Sequence, residues 1–172
     1  LLCQNAPYCD IPGLLSPSMS KANVRQTLNL KFLAFPRYEK FELKQYPPRM
    51  LLSSSRGCAY QCAFCGARNF LGSKWRAFSL EQMITEFEYW YDQGYREFSF
   101  EDSLFALDVK RVIDFCSYIV EKHYIDVSFV ADGVRADHIT KNLAIMLKKA
   151  NFTRLSIGVE SVNEKSLSFR YM

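Results

Sequence analysis

From residue 79 to residue 160 the chain repeats one pattern three times: a capped stretch of helical period, a stop, then a short β-rich run. Ser79 and Gln82 form a capping-box pair, and Leu80, Met83, Ile84, Phe87, Trp90 and Tyr91 recur at helical spacing. Gly94 supplies a left-handed stop before "EFSFE", which alternates as a strand. Asp108 caps a second helix with Val109, Val112, Ile113, Cys116, Ile119 and Val120 on one face, ahead of the strand "DVSFVA". Thr140 opens a third, carrying Leu143, Met146, Leu147 and Ala150, with Asn151 at its stop and "RLSIGVE" as the next strand. Upstream, the apolar run "MLLSSS" at residues 50–55 reads as a first strand. Helical connections between successive strands require a parallel sheet with right-handed crossovers. The expected fold is therefore α/β, an incomplete parallel (β/α) barrel of about four βα units, because four strands are too few to close a barrel.

At 172 residues there is room for one domain with a real core. Residues 1–49 hold all six prolines, show little periodicity and include polar stretches such as "SPSMSKANVRQ". They read as an irregular interdomain linker or the tail of an upstream domain, with room for a short β-hairpin. Residues 50–172 read as the N-terminal part of the barrel. The start, "LLCQNAPYCD", has neither Met nor a basic leader region, so it is read as a cut through a longer chain. The net charge of +4 is small and spread, and basic runs such as Lys148-Lys149 fall on helix faces, which gives no nucleic-acid signal. No apolar run approaches the roughly 20 residues of a membrane span. Nothing marks secretion, so a cytoplasmic location is expected and a disulfide framework is a poor reading of the cysteines.

Parallel α/β sheets gather their working residues at the carboxyl ends of the strands. Here the first end opens into Cys58, Cys62 and Cys65, and the second into Glu101-Asp102-Ser103. The third closes on Asp132-Gly133 and then Arg135, the fourth on Gly158-Val159-Glu160-Ser161. Three cysteines within eight positions are an odd number for disulfides and one short of a tetrahedral zinc site, and neither His123 nor His138 is expected near them. Three thiolates on a four-iron cluster leave one iron with an open coordination position, where a substrate or cofactor binds directly. The rival reading is a non-catalytic module that uses zinc or an iron–sulfur cluster for structure. Cys116, on an apolar helix stripe, reads as core, and Cys3 and Cys9 have no partner motif.

The spacing of Cys58, Cys62, Phe64 and Cys65 after a first strand resembles the radical S-adenosylmethionine superfamily. "SSSRGCAYQCAFCG", "SKWRAFSLEQMITEFE", "FSFEDSLFALD", "GVRAD" and "SIGVES" are similar to the subgroup that often carries an N-terminal cobalamin-binding domain. "DIPGLLSPS" and "LAFPRYEKFELKQY" resemble the connector between its domains. Departures are Ala59 where relatives commonly have Pro, Ser103 in place of a second Asp, and Asn151 in place of Gly. The resemblance implies a 4Fe-4S cluster on Cys58, Cys62 and Cys65. It implies reductive cleavage of S-adenosylmethionine to methionine and a 5′-deoxyadenosyl radical that abstracts a substrate hydrogen. An electron donor such as flavodoxin or ferredoxin follows, and cobalamin, where present, belongs to a domain outside this chain. By the same resemblance Phe64 packs near the adenine, Glu101 or Asp102 accepts from the cofactor ammonium, and Arg135 and Glu160 lie near its methionine or ribose portion. The plainer alternatives are that Glu101 and Asp102 cap the following loop and that Arg135 pairs with Asp137 or Asp132. A cobalamin-free RNA-modifying member of the superfamily is the other enzymatic reading. No catalytic residue, substrate or reaction type is assigned.

Overall fold

A computed structural model describes residues 27–163 and Lys165. Cys3, Cys9 and most of the expected linker lie outside the described residues. Four parallel strands form one sheet in the spatial order β1 (Arg49–Leu52), β4 (Glu97–Phe100), β5 (Ser128–Arg135), β6 (Phe152–Gly158). The joining helices are α2 (Leu80–Asp92), α3 (Val109–Glu121) and α4 (Lys141–Lys149). The partial α/β barrel expected from the repeat is the observed architecture. Between β1 and α2 the chain also forms a short antiparallel ribbon, β2 (Ser55–Arg56) with β3 (Arg76–Ala77), and a one-turn helix α1 (Ala67–Leu71).

The helix starts follow from their caps. Ser79 and Gln82 make the reciprocal capping box, Asp108 accepts from the Arg111 amide at 3.1 Å, and Thr140 accepts from the Leu143 amide at 3.1 Å. Gly94 takes φ +94° beyond α2 and Asn151 takes φ +61° beyond α4, as their positions predict. His123 does the same for α3, at φ +56°, without any sequence signal.

One sheet face is buried under the helices. The in-register row Met50, Phe98, Phe129 and Phe152 lies on it, each 7% exposed or less. Phe129 stacks on Phe98 at 5.7 Å and on Phe152 at 5.0 Å, while Phe87 of α2 meets Phe98 edge-on at 4.9 Å. Cys116 sits in this core, as its helix stripe requires. The opposite face, the inside of the partial barrel, carries Leu51 at 53% exposure. Residues 27–48 run along α2 rather than standing away from it. Leu30 is buried, Gln82 donates to its carbonyl at 3.1 Å, and Tyr38 stacks on Trp90 at 5.6 Å. Two 3-10 turns, Leu30–Phe32 and Leu43–Gln45, are the regular structure there, and no β-hairpin occurs among these described residues. Among the described residues no helix is long and apolar enough to cross a membrane.

Candidate functional site

The cysteine loop is fixed at its root by backbone geometry. β1 ends at Leu52, and Ser54 and Ser55 lead into the ribbon, where the Phe78 amide donates to the Ser54 carbonyl at 3.0 Å. Gly57 follows at φ +87°, and a Cβ there would overlap the Lys74 carbonyl. Only glycine fits so close an approach, so the ribbon closes tightly under the loop. Cys58 and Cys62 are half-buried, Cys65 is exposed, and all three are free thiols. The Cys65 amide donates to the Cys62 carbonyl at 3.0 Å, turning the chain between them. Phe64, between those two, points outward at 62% exposure.

The loop is also tied across the sheet. Tyr60 lays its ring 3.9 Å from the Arg135 guanidinium and places its hydroxyl 2.9 Å from His138 Nε2. His138 is therefore a neighbour of the cysteine loop, contrary to the sequence expectation that no histidine lies near. The β5 crossover brings it there over 78 positions. Arg135 donates from Nε and Nη2 to Asp137 at 2.9 and 2.6 Å, which settles its ion-pair partner as Asp137 and not Asp132. That pairing holds the Asp137 carboxyl below its usual range, while burial lowers the His138 imidazole. Ser156 donates to Asp132 instead.

The third strand end differs from expectation. β5 continues through Asp132 and Gly133 to Arg135, with an irregularity between Ala131 and Val134. Gly133 has φ +66°, and a Cβ there would overlap the Asp102 carbonyl. The Phe105 amide donates to the Gly133 carbonyl at 3.0 Å. The bulge thus seats the loop that follows β4.

The adjacent carboxylates Glu101 and Asp102 face different surroundings. Glu101 is exposed, accepting from Ser99 Oγ at 2.7 Å, while its amide donates to the Leu52 carbonyl at 2.8 Å. Asp102 is 4% exposed, and both its oxygens accept from the end of β1: Oδ2 from Ser54 Oγ and Oδ1 from the Ser55 amide. Burial raises its pKa despite those donors. Arg111 of α3 lies behind, donating to Ser54 Oγ at 3.1 Å and the Ser54 carbonyl at 3.0 Å, and burial lowers its pKa in turn. Trp75 joins the same corner through its indole N–H on the Leu104 carbonyl at 3.0 Å. Sequence reading missed this network. Its one available signal was a charged residue, Arg111, at a helix position flanked by the apolar stripe. Glu160 follows β6 at φ +60° and is exposed.

The four strand ends therefore carry the cysteine loop, Glu101, Arg135 and Glu160 on one edge of the sheet. Three free thiols on a short loop, with His138 engaged by Tyr60, form a donor set suited to an iron–sulfur cluster with one open iron. Among the described residues no three Cys, His, Asp or Glu side chains already group as a metal site.

A family model described as the radical SAM superfamily matches residues 52–171. The chain is 29% identical over 146 residues to an uncharacterised methyltransferase of Pyrococcus horikoshii, covering 82% of this chain and 31% of the relative. It spans about a quarter to a third of the length of the curated relatives it matches. The cobalamin-dependent S-adenosylmethionine radical enzyme OxsB, solved with aqua-cobalamin and S-adenosylmethionine, aligns over 97% of this chain and 26% of its own, with a TM-score of 0.79 and 23% identity. The radical S-adenosylmethionine methyltransferase TsrM from Kitasatospora setae aligns over 70% of this chain and 23% of its own, with a TM-score of 0.63 and 20% identity.

Proposed function

The chain belongs to the radical SAM superfamily, and from that premise we propose that it is the N-terminal part of the core barrel of a radical S-adenosylmethionine enzyme. The observation that carries this reading is three free thiols on one loop at the carboxyl edge of a parallel sheet. Cys58, Cys62 and Cys65 would hold a 4Fe-4S cluster by three of its irons. Bound there and reduced, such a cluster would supply the single electron for reductive cleavage of the sulfonium C5′–S bond of S-adenosylmethionine.

The chain's own residues bind and orient. Glu101, exposed on the rim, accepts from the cofactor ammonium, and Asp102 supports it from behind by fixing the end of β4 to the end of β1. Phe64 covers the adenine from its outward position, and Arg135 and Glu160 serve the polar portions of the cofactor. Residues 1–49 connect to an upstream domain and residues 50–172 begin the barrel, a division supported by the family match starting at residue 52. We place the enzyme in the cobalamin-associated subgroup, on the support of the OxsB alignment across nearly the whole chain. On this reading cobalamin is held outside the chain, a flavodoxin- or ferredoxin-type donor supplies electrons, and the enzyme works in the reducing cytoplasm.

Anaerobic reconstitution of the full chain tests the reading. About four irons with matching sulfide are expected per chain. Replacing Cys58, Cys62 or Cys65 by Ala should abolish them, and Cys116→Ala should not. Zinc in place of iron, or full retention of iron in any of the three loop variants, would overturn it.

A further inference from the structure

We propose that Tyr60 is the positioning residue of the cysteine loop, docked on the end of β5 by Arg135 and His138. It stands midway between Cys58 and Cys62, so wherever its ring is held, both thiols are held within two residues. The two attachments are of different chemistry and land on one short segment. The ring covers the Arg135 guanidinium at 3.9 Å, and the hydroxyl meets His138 Nε2 at 2.9 Å.

The receiving surface is itself fixed. Asp137 takes the guanidinium in a two-pronged pair, which sets the plane that Arg135 turns toward the ring. The Arg135 side chain is only 12% exposed, and a cation–π contact sheltered from water is stronger than an exposed one. His138 belongs to the 3-10 turn Ala136–His138, continuous with β5, so its ring rides on the sheet. With Gly57 seated under Lys74, the loop has two anchors, one at its root and one near its middle. The second sets where the thiols stand relative to the strand-end rim, a task that local turns in the loop do not perform.

What the positioned thiols hold rests on the function proposed above, but the anchoring itself does not. Hydrogen exchange in the metal-free full chain therefore tests it separately. Tyr60→Leu should speed exchange of the amides in residues 57–66 about three- to tenfold, with those of β4 and β5 unchanged. Tyr60→Phe, which keeps the ring and loses the hydroxyl, should give an intermediate effect, and His138→Gln should restore part of what His138→Ala loses. Should Tyr60→Leu fail to fold, Tyr60→Phe and His138→Ala carry the same measurement. In the reconstituted protein, Tyr60→Leu should retain iron but lose the change that S-adenosylmethionine makes in the spin-resonance spectrum of the reduced cluster. Loop exchange equal to the parent's, or a spectral response equal to the parent's, overturns the assignment. A parent that takes up no iron and sulfide refutes the proposed function and leaves exchange alone to decide the role of Tyr60.

Discussion

Ser54 donates its hydroxyl proton to Asp102 across 2.5 Å, joining the end of β1, four residues ahead of Cys58, to the end of β4. Arg111 donates to the same Ser54 hydroxyl and carbonyl, so one corner of the rim is built from three buried polar side chains. A buried carboxylate without donors would be costly, and here each oxygen has one. The arrangement divides labour between neighbours: Asp102 holds the frame and Glu101 is left on the surface.

That division predicts opposite phenotypes. Asp102→Asn should lower stability by about 1.5–3 kcal/mol in denaturant unfolding, the worth of hydrogen bonds to a charged group. Arg111→Ala, which takes the charged donors from the Ser54 hydroxyl and carbonyl, should also cost about 1.5–3 kcal/mol. Glu101→Gln should stay within about 0.5 kcal/mol of the parent in stability. Its effect belongs in titration of the reconstituted full chain with S-adenosylmethionine, where Glu101→Gln and Glu160→Gln should each weaken binding by about 1.5–3 kcal/mol. Parent-like binding in both would remove the ammonium and polar-contact roles from these residues.

Glu86 on α2 makes stability depend on pH. Burial, reinforced by the Asp102 charge and partly offset by Arg56, pushes its carboxyl from 4.5 up to about 7. Between those values the folded chain keeps a proton that the unfolded chain releases. The contribution of Glu86 to stability is therefore full below pH 4.5, falls as pH rises to about 7, and is flat beyond. The loss amounts to about 3 kcal/mol. Unfolding free energies measured from pH 4.5 to 8 should show that decline in the parent, and Glu86→Gln should make it shallower. An equal slope in both would place the proton elsewhere.

Glycines with positive φ should separate by what stands beside them. Gly57 and Gly72 share φ +87°, but a Cβ on Gly57 meets the Lys74 backbone while one on Gly72 meets nothing within 4 Å. Gly72→Ala should then cost only the left-handed strain of about 1–2 kcal/mol. Gly57→Ala must also push the ribbon off its partner, and should cost more by at least about 1 kcal/mol and lower iron uptake. Equal melting temperatures for the two variants would mean the ribbon yields freely.

The sheet, its helices and their caps were legible because local chemistry specifies them: Ser79, Asp108 and Thr140 each cap the helix they precede. That the three thiols share one loop was legible because their spacing keeps them within eight positions. The ribbon Ser55–Arg56 with Arg76–Ala77 was not, since two-residue strands carry no periodicity and exist here through the Gly57 approach to Lys74. Tyr60 beside Arg135 and His138, and Ser54 between Asp102 and Arg111, were hidden for a related reason. Each joins residues about 48 to 78 positions apart, and such contacts depend on strand order and crossover geometry.

Thiol reactivity offers a last, direct reading of the loop. Burial in the core pushes the Cys116 thiol up to about 12, so almost no thiolate exists there at pH 8, and its side chain is fully enclosed. Cys58, Cys62 and Cys65 are half-buried or exposed on the loop and open to reagent. In the metal-free full chain, iodoacetamide at pH 8 should alkylate these three and spare Cys116, with the positions read by peptide mapping. Reconstitution with iron and sulfide should then protect the three together, because ligation by one cluster ties up all three sulfurs at once. Protection of only two of them would leave the third outside the metal site and refute the three-thiolate assignment. Rapid alkylation of Cys116 in the folded chain would show that α3 opens far more readily than the packing of its Phe115 against Phe129 allows.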